Sequence, residues 1–305
     1  MGKLIFRRIL EAVPVLLAVV TLTFFMVRLA PGSPFDEERP LRPEVREALE
    51  KHYGLDRPLY EQYVSFLGGL LRGDLGVSYR QPDFTVAEIV AETLPVSFEL
   101  AVYALGIALC LGLVLGLVAA VRPNRWSDLG PMAVAMVGIC LPSFVLGPLL
   151  ILAFAIELDW FRAFGWDSAR DRVLPALTLG LFFAAYIARL TRASMLEVRA
   201  QDYMRTALAK GMPFHRAYLK HGLRNALSPV VAYLGPAMAG LVSGSFVVES
   251  LYQVPGLGRY FVTAALDSDY TLILGVTVVY ASLLIAFNLV ADVVLLLLDP
   301  RVRAE

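Results

Sequence analysis

Charged and uncharged positions are strongly segregated along this chain. Residues 100–121 run for 22 positions without Asp, Glu, Lys or Arg, 129–156 for 28, 225–248 for 24 and 270–291 for 22. Two shorter runs, 12–27 and 173–188, hold 16 residues each. A helix crossing the ~30 Å hydrocarbon core needs roughly 20 residues, with a working range of about 17–25. The four long runs meet this directly. The two short ones meet it if Arg28 and Arg189 snorkel to the headgroups and Glu11 pairs with Arg8 and Arg7, three and four residues earlier. The pattern predicts an all-α, polytopic membrane protein with six spans.

The polar stretches between the runs are organised too. Residues 1–29 form a basic start and a first span. Residues 30–95 form a long acidic loop with 12 Asp or Glu against 7 Lys or Arg. It opens on a turn rich in proline (Pro31, Pro34, Pro40, Pro43). A short helix is predicted from Pro43 to His52, closed by Gly54, and a second over residues 60–71. Its apolar side chains (Tyr53, Leu55, Tyr60, Tyr63, Phe66) favour an ordered cap over a disordered linker. Residues 96–305 form a five-helix core. Within it, the connection 189–229 has helical spacing at Met195, Tyr203, Met204, Ala207 and Leu208. Gly211 suits the position just past a helix end, and Pro213 the first turn of the next helix. Arg216, Lys220 and Arg224 follow at four-residue steps as a basic stripe opposite Phe214, Ala217 and Tyr218. A loop lying on anionic lipid and a docking helix for a soluble partner both fit this elbow.

Composition agrees with the pattern. Hydrophobic residues make up 58% of the 305 and charged residues 18%, against about 45–50% and about 25% in soluble globular chains. Lys and Arg number 15 on the side shared by the two termini and 4 in the short loops opposite, which predicts cytoplasmic termini and an external cap. The first run is longer than a secretory h-region and no small-x-small cleavage site follows it, so it is read as an uncleaved span. Cys110 and Cys140 read as small buried hydrophobes. His52, His215 and His221 lack metal-ligand spacing. No phosphate-binding G-x-x-x-x-G-K-[ST] loop is present.

Several residues within or beside the spans carry two readings each. Gly112 and Gly116, Gly240 and Gly244, and Gly180, Ala184 and Ala188 allow close helix contact, within or between subunits. Pro142, Pro148 and Pro236 interrupt runs, kinking helices or being tolerated there. Asp292, a charge in the last apolar stretch, is a functional candidate by default and is read as structural because it lies near the membrane edge. Glu249 and Arg259 flank Pro255, Gly256 and Gly258, where they contact an external partner or terminate helices.

The segment Arg205-Thr-Ala-Leu-Ala-Lys-Gly211, followed by His221-Gly-Leu-Arg-Asn-Ala-Leu-Ser-Pro229, resembles the cytoplasmic loop of binding-protein-dependent ABC importer permeases. Ala207 and Gly211 match the last Ala and the Gly of that loop's Glu-Ala-Ala…Gly pattern. Arg205 and Thr206 replace its Glu and first Ala, a departure shared with the peptide and nickel branch. Arg7-Arg-Ile-Leu-Glu-Ala-Val-Pro14, Arg28-Leu-Ala-Pro-Gly-Ser-Pro34, Glu249-Ser-Leu-Tyr-Gln-Val-Pro-Gly-Leu-Gly258 and Asp299-Pro-Arg301 are similar to the B-type subunits of the oligopeptide branch. The resemblance covers essentially the whole chain.

It implies a type I permease fold in the cell inner membrane and a second, homologous permease subunit. It further implies two ATPase subunits that bind the ATP, an external peptide-binding protein, and no cofactor or catalytic residue on this chain. Residues 205–214 (Arg205, Thr206, Ala207, Leu208, Ala209, Lys210, Gly211, Met212, Pro213, Phe214) would form the coupling segment. Oligopeptides are the expected cargo, with dipeptides or nickel as alternatives. An ion-coupled carrier is the rival class, and such carriers place ionisable groups at the midplane. Here the middles of all six runs are uncharged. An intramembrane enzyme finds no catalytic pair within them.

Overall fold

The computed structural model describes residues 2–29, 34–35 and 42–298, with side chains at 6–8, 10–29, 34–35 and 42–294. Asp299-Pro-Arg301, Pro31 and Pro40 lie outside the described residues. Four helices are long and apolar enough to cross a membrane alone: α1 (Gly2–Leu29), α4 (Val86–Val121), α7 (Ala169–Arg199) and α14 (Tyr270–Leu298). Between α1 and α4 lie α2 (Pro43–His52) and α3 (Leu59–Leu71).

The remaining two runs are not straight spans. α5 (Trp126–Cys140) and α6 (Ser143–Leu150), which continues as a π-helical turn over Ile151–Glu157, meet at 109°. Leu141 is extended because the ring of Pro142 disfavours a helical residue before it. After α7 come α8 (Asp202–Ala209), α9 (Phe214–Arg216), a π-helical segment Ala217–Leu223, α10 (Arg224–Ala226) and α11 (Ser228–Gly244). The Phe214–Ala226 portion joins α11 at 47°. This span therefore begins 11 residues before the uncharged run at 225. Residues 246–248 of that run belong to α12 (Phe246–Tyr252), which precedes α13 (Leu257–Leu266).

Helix direction decides whether the bent pairs cross. An added Cβ at Gly180 would meet the Ala104 carbonyl at 2.7 Å, one at Gly112 the Ala184 carbonyl at 2.8 Å, and one at Gly116 the Ala188 carbonyl at 2.6 Å. Farther along, Arg199 Nη1 donates to the Val121 carbonyl at 3.0 Å. Partners advance together, so α4 and α7 are parallel. The small-residue series thus mates within one chain: α4 glycines receive α7 backbone. Gly240 faces Phe183, while Gly244 faces open space. Val86 packs at Gly275 and Phe98 stacks on Phe287 at 6.3 Å, so α14 runs the same way. Two parallel spanning helices in sequence need one return crossing between them. The α5–α6 unit supplies it between α4 and α7, and the α9–α11 unit between α7 and α14. Val230 accordingly packs with Ala108 and Ile187, and Leu241 with Leu100 and Leu174, the antiparallel order. Among the described residues, six spans result, each bent pair counting as one. Reporter fusions after Glu305 and near Glu61 are expected on opposite sides; the same side for both would overturn this topology.

The cap is built onto the core. Phe24 of α1 lies edge-on to Tyr63 at 5.2 Å and stacks on Phe66 at 6.0 Å, which lays α3 along α1. Tyr53 meets Phe35 at 5.7 Å and Tyr79 at 4.6 Å. The buried Asp269 accepts from Ser78 Oγ, from the Arg80 N–H at 3.3 Å and from the Leu272 N–H at 3.1 Å. One carboxylate thereby starts α14 and anchors the cap segment around Ser78 and Arg80. The core helix α4 begins at Val86, ten residues before the expected boundary at 96. Thr85 and Glu88 form its capping box. Glu88, Glu92 and Glu99 hide that extension from a search for uncharged runs.

Candidate functional site

The elbow opposite the cap is the most sharply defined polar feature. α7 continues unbroken to Arg199, so residues 189–199 belong to the span and the elbow proper starts at Gln201. Gly211 has φ +81°. Its N–H bonds the Leu208 carbonyl at 3.0 Å, and the Met212 N–H bonds the Ala207 carbonyl at 3.2 Å. This is a Schellman closure of α8, and it requires the left-handed residue that glycine supplies without a Cβ penalty. Pro213 then caps α9. Of α8, only Met204 is buried; Tyr203, Arg205, Thr206, Leu208 and Ala209 are exposed and Ala207 half-buried. Lys210 is exposed as well. The helix thus presents an exposed face with no partner among the described residues.

The elbow is seated firmly on the spans. The Tyr218 hydroxyl donates to the Leu117 carbonyl at 3.1 Å, and Phe214 stacks on Tyr218 at 5.2 Å beneath the Arg199 guanidinium. Asn225 Nδ2 donates to the Tyr203 hydroxyl at 2.8 Å. Ala217, Tyr218 and Gly222 are buried while Arg216, Lys220 and Arg224 are exposed, so the predicted stripe forms. Between α8 and the stripe lies a hollow of about 500 Å³ lined by Tyr203, Ala207, Lys210, Met212, Arg216 and His221.

One supporting pair was not legible in the sequence. Asp128, 1% exposed, accepts from Arg192 Nε at 2.6 Å and Nη2 at 2.7 Å, and from the Asn124 N–H at 2.8 Å. This bidentate pair ties the start of α5 to α7 about two turns above the elbow. Sixty-four residues separate the partners, and each looks like an ordinary charge at the edge of an apolar run.

On the cap side, Glu249 is fully buried. Its Oε2 accepts the Gly258 N–H at 2.8 Å and the Arg259 N–H at 3.2 Å, and its Oε1 accepts from Ser245 Oγ. The Leu257 N–H bonds Ser97 Oγ at 2.9 Å. All three leading N–H groups of α13 are therefore satisfied, and the helix N-terminus favours the anion. Of the two readings, Glu249 terminates a helix and is inaccessible to any external partner in this conformation. Gly256 is packed against the Glu249 carboxylate, and a Cβ at Gly258 would meet Phe246 Cα at 2.6 Å. Pro255 and Arg259 are exposed.

Two further candidates settle into structural contacts. Asp292 pairs with Arg8 Nε at 3.0 Å and joins α14 to α1, beside the Arg7–Glu11 pair at 2.8 Å. Arg28 does not reach outward to headgroups. It lies between the Phe24 and Tyr270 rings, 5.4 Å from each centroid, because the cap closes over the end of α1. Cys110 and Cys140 are exposed rather than buried, facing the chain's outer surface. Among the described residues, no group of three or more His, Cys, Asp or Glu could hold a metal ion.

An amino acid ABC transporter solved with bound histidines shares this fold, with a TM-score of 0.51 at 18% identity over 70% of this chain and 94% of the other. Six spans in this arrangement define a type I ABC importer permease fold. The model of the binding-protein-dependent transport system inner membrane component matches residues 112–304, and its N-terminal companion matches 1–101. The chain belongs to that family. It is 45% identical to the oligopeptide transport system permease protein OppB of Escherichia coli K12 over 99% of this chain and all of that one. The Haemophilus influenzae OppB is 44% identical over the same shares. The dipeptide transport system permease protein DppB of Bacillus subtilis is 43% identical over 99% of this chain and 98% of its own length.

Proposed function

We propose that this chain is one of two pore-forming subunits of an ATP-driven importer of oligopeptides, and that residues 205–214 couple it to its motor. The observation that carries the coupling role is the elbow: an exposed helix, closed by a Schellman turn, braced on α4 and α7 at the membrane face away from the cap. A segment so mounted passes a push on α8 into the spans and does not absorb it. The excess of Lys and Arg on that face supports its being cytoplasmic. Two ATPase subunits would dock there and hydrolyse ATP, and this chain would hold no cofactor itself. A homologous permease subunit completes the pore, and an external peptide-binding protein delivers cargo on the cap side. Alternating access then follows from rigid tilting of the spans.

The assembled complex in proteoliposomes, with ATP inside and loaded binding protein outside, should accumulate labelled peptides of several residues. Accumulation driven by an ion gradient without ATP would replace this reading with a secondary carrier. The likeness to the Bacillus subtilis protein supports a second cargo reading, dipeptides, which would then compete best in the same assay.

A further inference from the structure

At the base of the cap, where α1 ends, lies a half-open cavity of about 360 Å³. Gly54 (φ +67°) and Gly76 (φ +84°) turn the chain around it, and both turns need left-handed residues. Half-buried Arg28, Tyr53, Gln62 and Tyr79 line it together with exposed His52 and Arg57. Its size falls within the range of small-ligand sites.

The polar groups here are incompletely matched. Arg28 Nη2 reaches the Tyr79 hydroxyl at a long 3.4 Å, and Arg28 Nε is buried with no acceptor among the described residues. Gln62 spends its Nε2 on the Leu55 and Arg57 carbonyls at 3.1 and 2.7 Å, which leaves Oε1 buried with no donor. Among the described residues, neither Arg28 nor Arg57 has a carboxylate partner. The one acid among the described lining residues, Asp74, accepts the Gly76 N–H at 2.8 Å through Oδ1. A buried donor and a buried acceptor left unmade both cost stability until something pairs with them.

We infer that this cavity binds the carboxylate of a peptide segment, with Arg28 and Arg57 as its cations and Gln62 Oε1 accepting the N–H beside it. The lining tyrosines suit an aromatic or apolar side chain on the same residue. A fully ionised phosphomonoester would satisfy the arginines and, having no donor, leave the Gln62 acceptor empty. Both orphan atoms lie just behind the cavity wall, so ligand entry engages them through side-chain rotation. The carboxylate has two sources: the C-terminus of the transported peptide, which rests on the peptide-import reading, or an acidic segment of the docked external protein.

The test uses the assembled transporter in nanodiscs, first without binding protein. N-acetyl-alanyl-phenylalanine is titrated calorimetrically as the free acid and as the C-terminal amide. The acid should bind at least about tenfold more tightly than the amide, the scale of one charge-assisted contact. Arg57→Gln, at an exposed position, should erase that difference with an unchanged melting temperature. Arg28→Gln should do the same. If neither probe binds but Arg57→Gln weakens docking of the loaded binding protein about tenfold, the carboxylate belongs to that protein and the site stands. Equal binding of acid and amide overturns the proposal. So does displacement of the acid by equimolar inorganic phosphate, or the absence of probe binding together with unaltered docking. Failure of the wild-type complex to take up any peptide would sink the import reading and leave these binding results intact.

Discussion

Gly211→Val is expected to leave the protein in the membrane at wild-type levels and to abolish ATP-driven uptake. Gly211 sits at φ +81° with nothing within 4 Å of where a Cβ would stand. The penalty is therefore backbone strain and not a clash. A β-branched residue held in a left-handed conformation costs on the order of 1–3 kcal/mol. Escaping that strain breaks the Gly211–Leu208 and Met212–Ala207 bonds and re-aims α9 against α8. Six spans locked by glycine contacts tolerate a loss of this size at an exposed turn. Coupling between sites does not, because its own free energy is typically about 1–3 kcal/mol. Membrane quantity by immunoblot, uptake in proteoliposomes and ATP hydrolysis stimulated by loaded binding protein are the measurements. Uptake at the wild-type rate would show that the elbow is not the coupling element. Reversing Arg216, Lys220 and Arg224 to Glu then separates the alternatives. Lost ATPase association places the stripe at a protein interface, and a changed lipid dependence places it on headgroups.

Glu249→Ala is expected to fail at an earlier stage, in stability. The substitution removes the acceptor of the Gly258 and Arg259 N–H groups and of the Ser245 hydroxyl, all at a position with no exposure to water. Each buried donor left unpaired costs about 1–3 kcal/mol. Two backbone donors together cost roughly 2–6 kcal/mol, reduced where a water enters the vacated space. Glu249→Gln keeps an acceptor oxygen and the volume while losing the charge, so it should recover part of the loss. Thermal unfolding of the solubilised complex, followed by size-exclusion fluorescence, should rank wild type above Gln and Gln above Ala. Equal melting of all three, with uptake lost only in the variants, would mean that Glu249 acts on transport directly.

The helix over residues 43–52 and the turn at Gly211 were legible because their signals are local: a proline at N1, a glycine at C′, and apolar spacing between. The break in the 129–156 run had a local signal in Pro142, but its 109° angle did not. Proline ends a helix, and packing sets the direction in which the chain resumes. The ring contacts of Arg28 were illegible for the same reason, since they form only when the cap and the start of α14 come together over the end of α1.

What the sequence by itself determined was the environment of each segment. Uncharged runs of this length lie in hydrocarbon as helices, because only a helix satisfies its backbone polar groups within one segment there. Glycine and proline determined where the elbow turns. Tertiary structure alone decided that α4, α7 and α14 run parallel, which establishes six crossings from the two bent units. It alone matched Asp128 with Arg192, Asp269 with the cap, and Glu249 with the start of α13. Each of these joins groups brought together only by helix packing. The free energy of such a pair depends on distance and burial, and neither quantity is written in the order of residues along the chain.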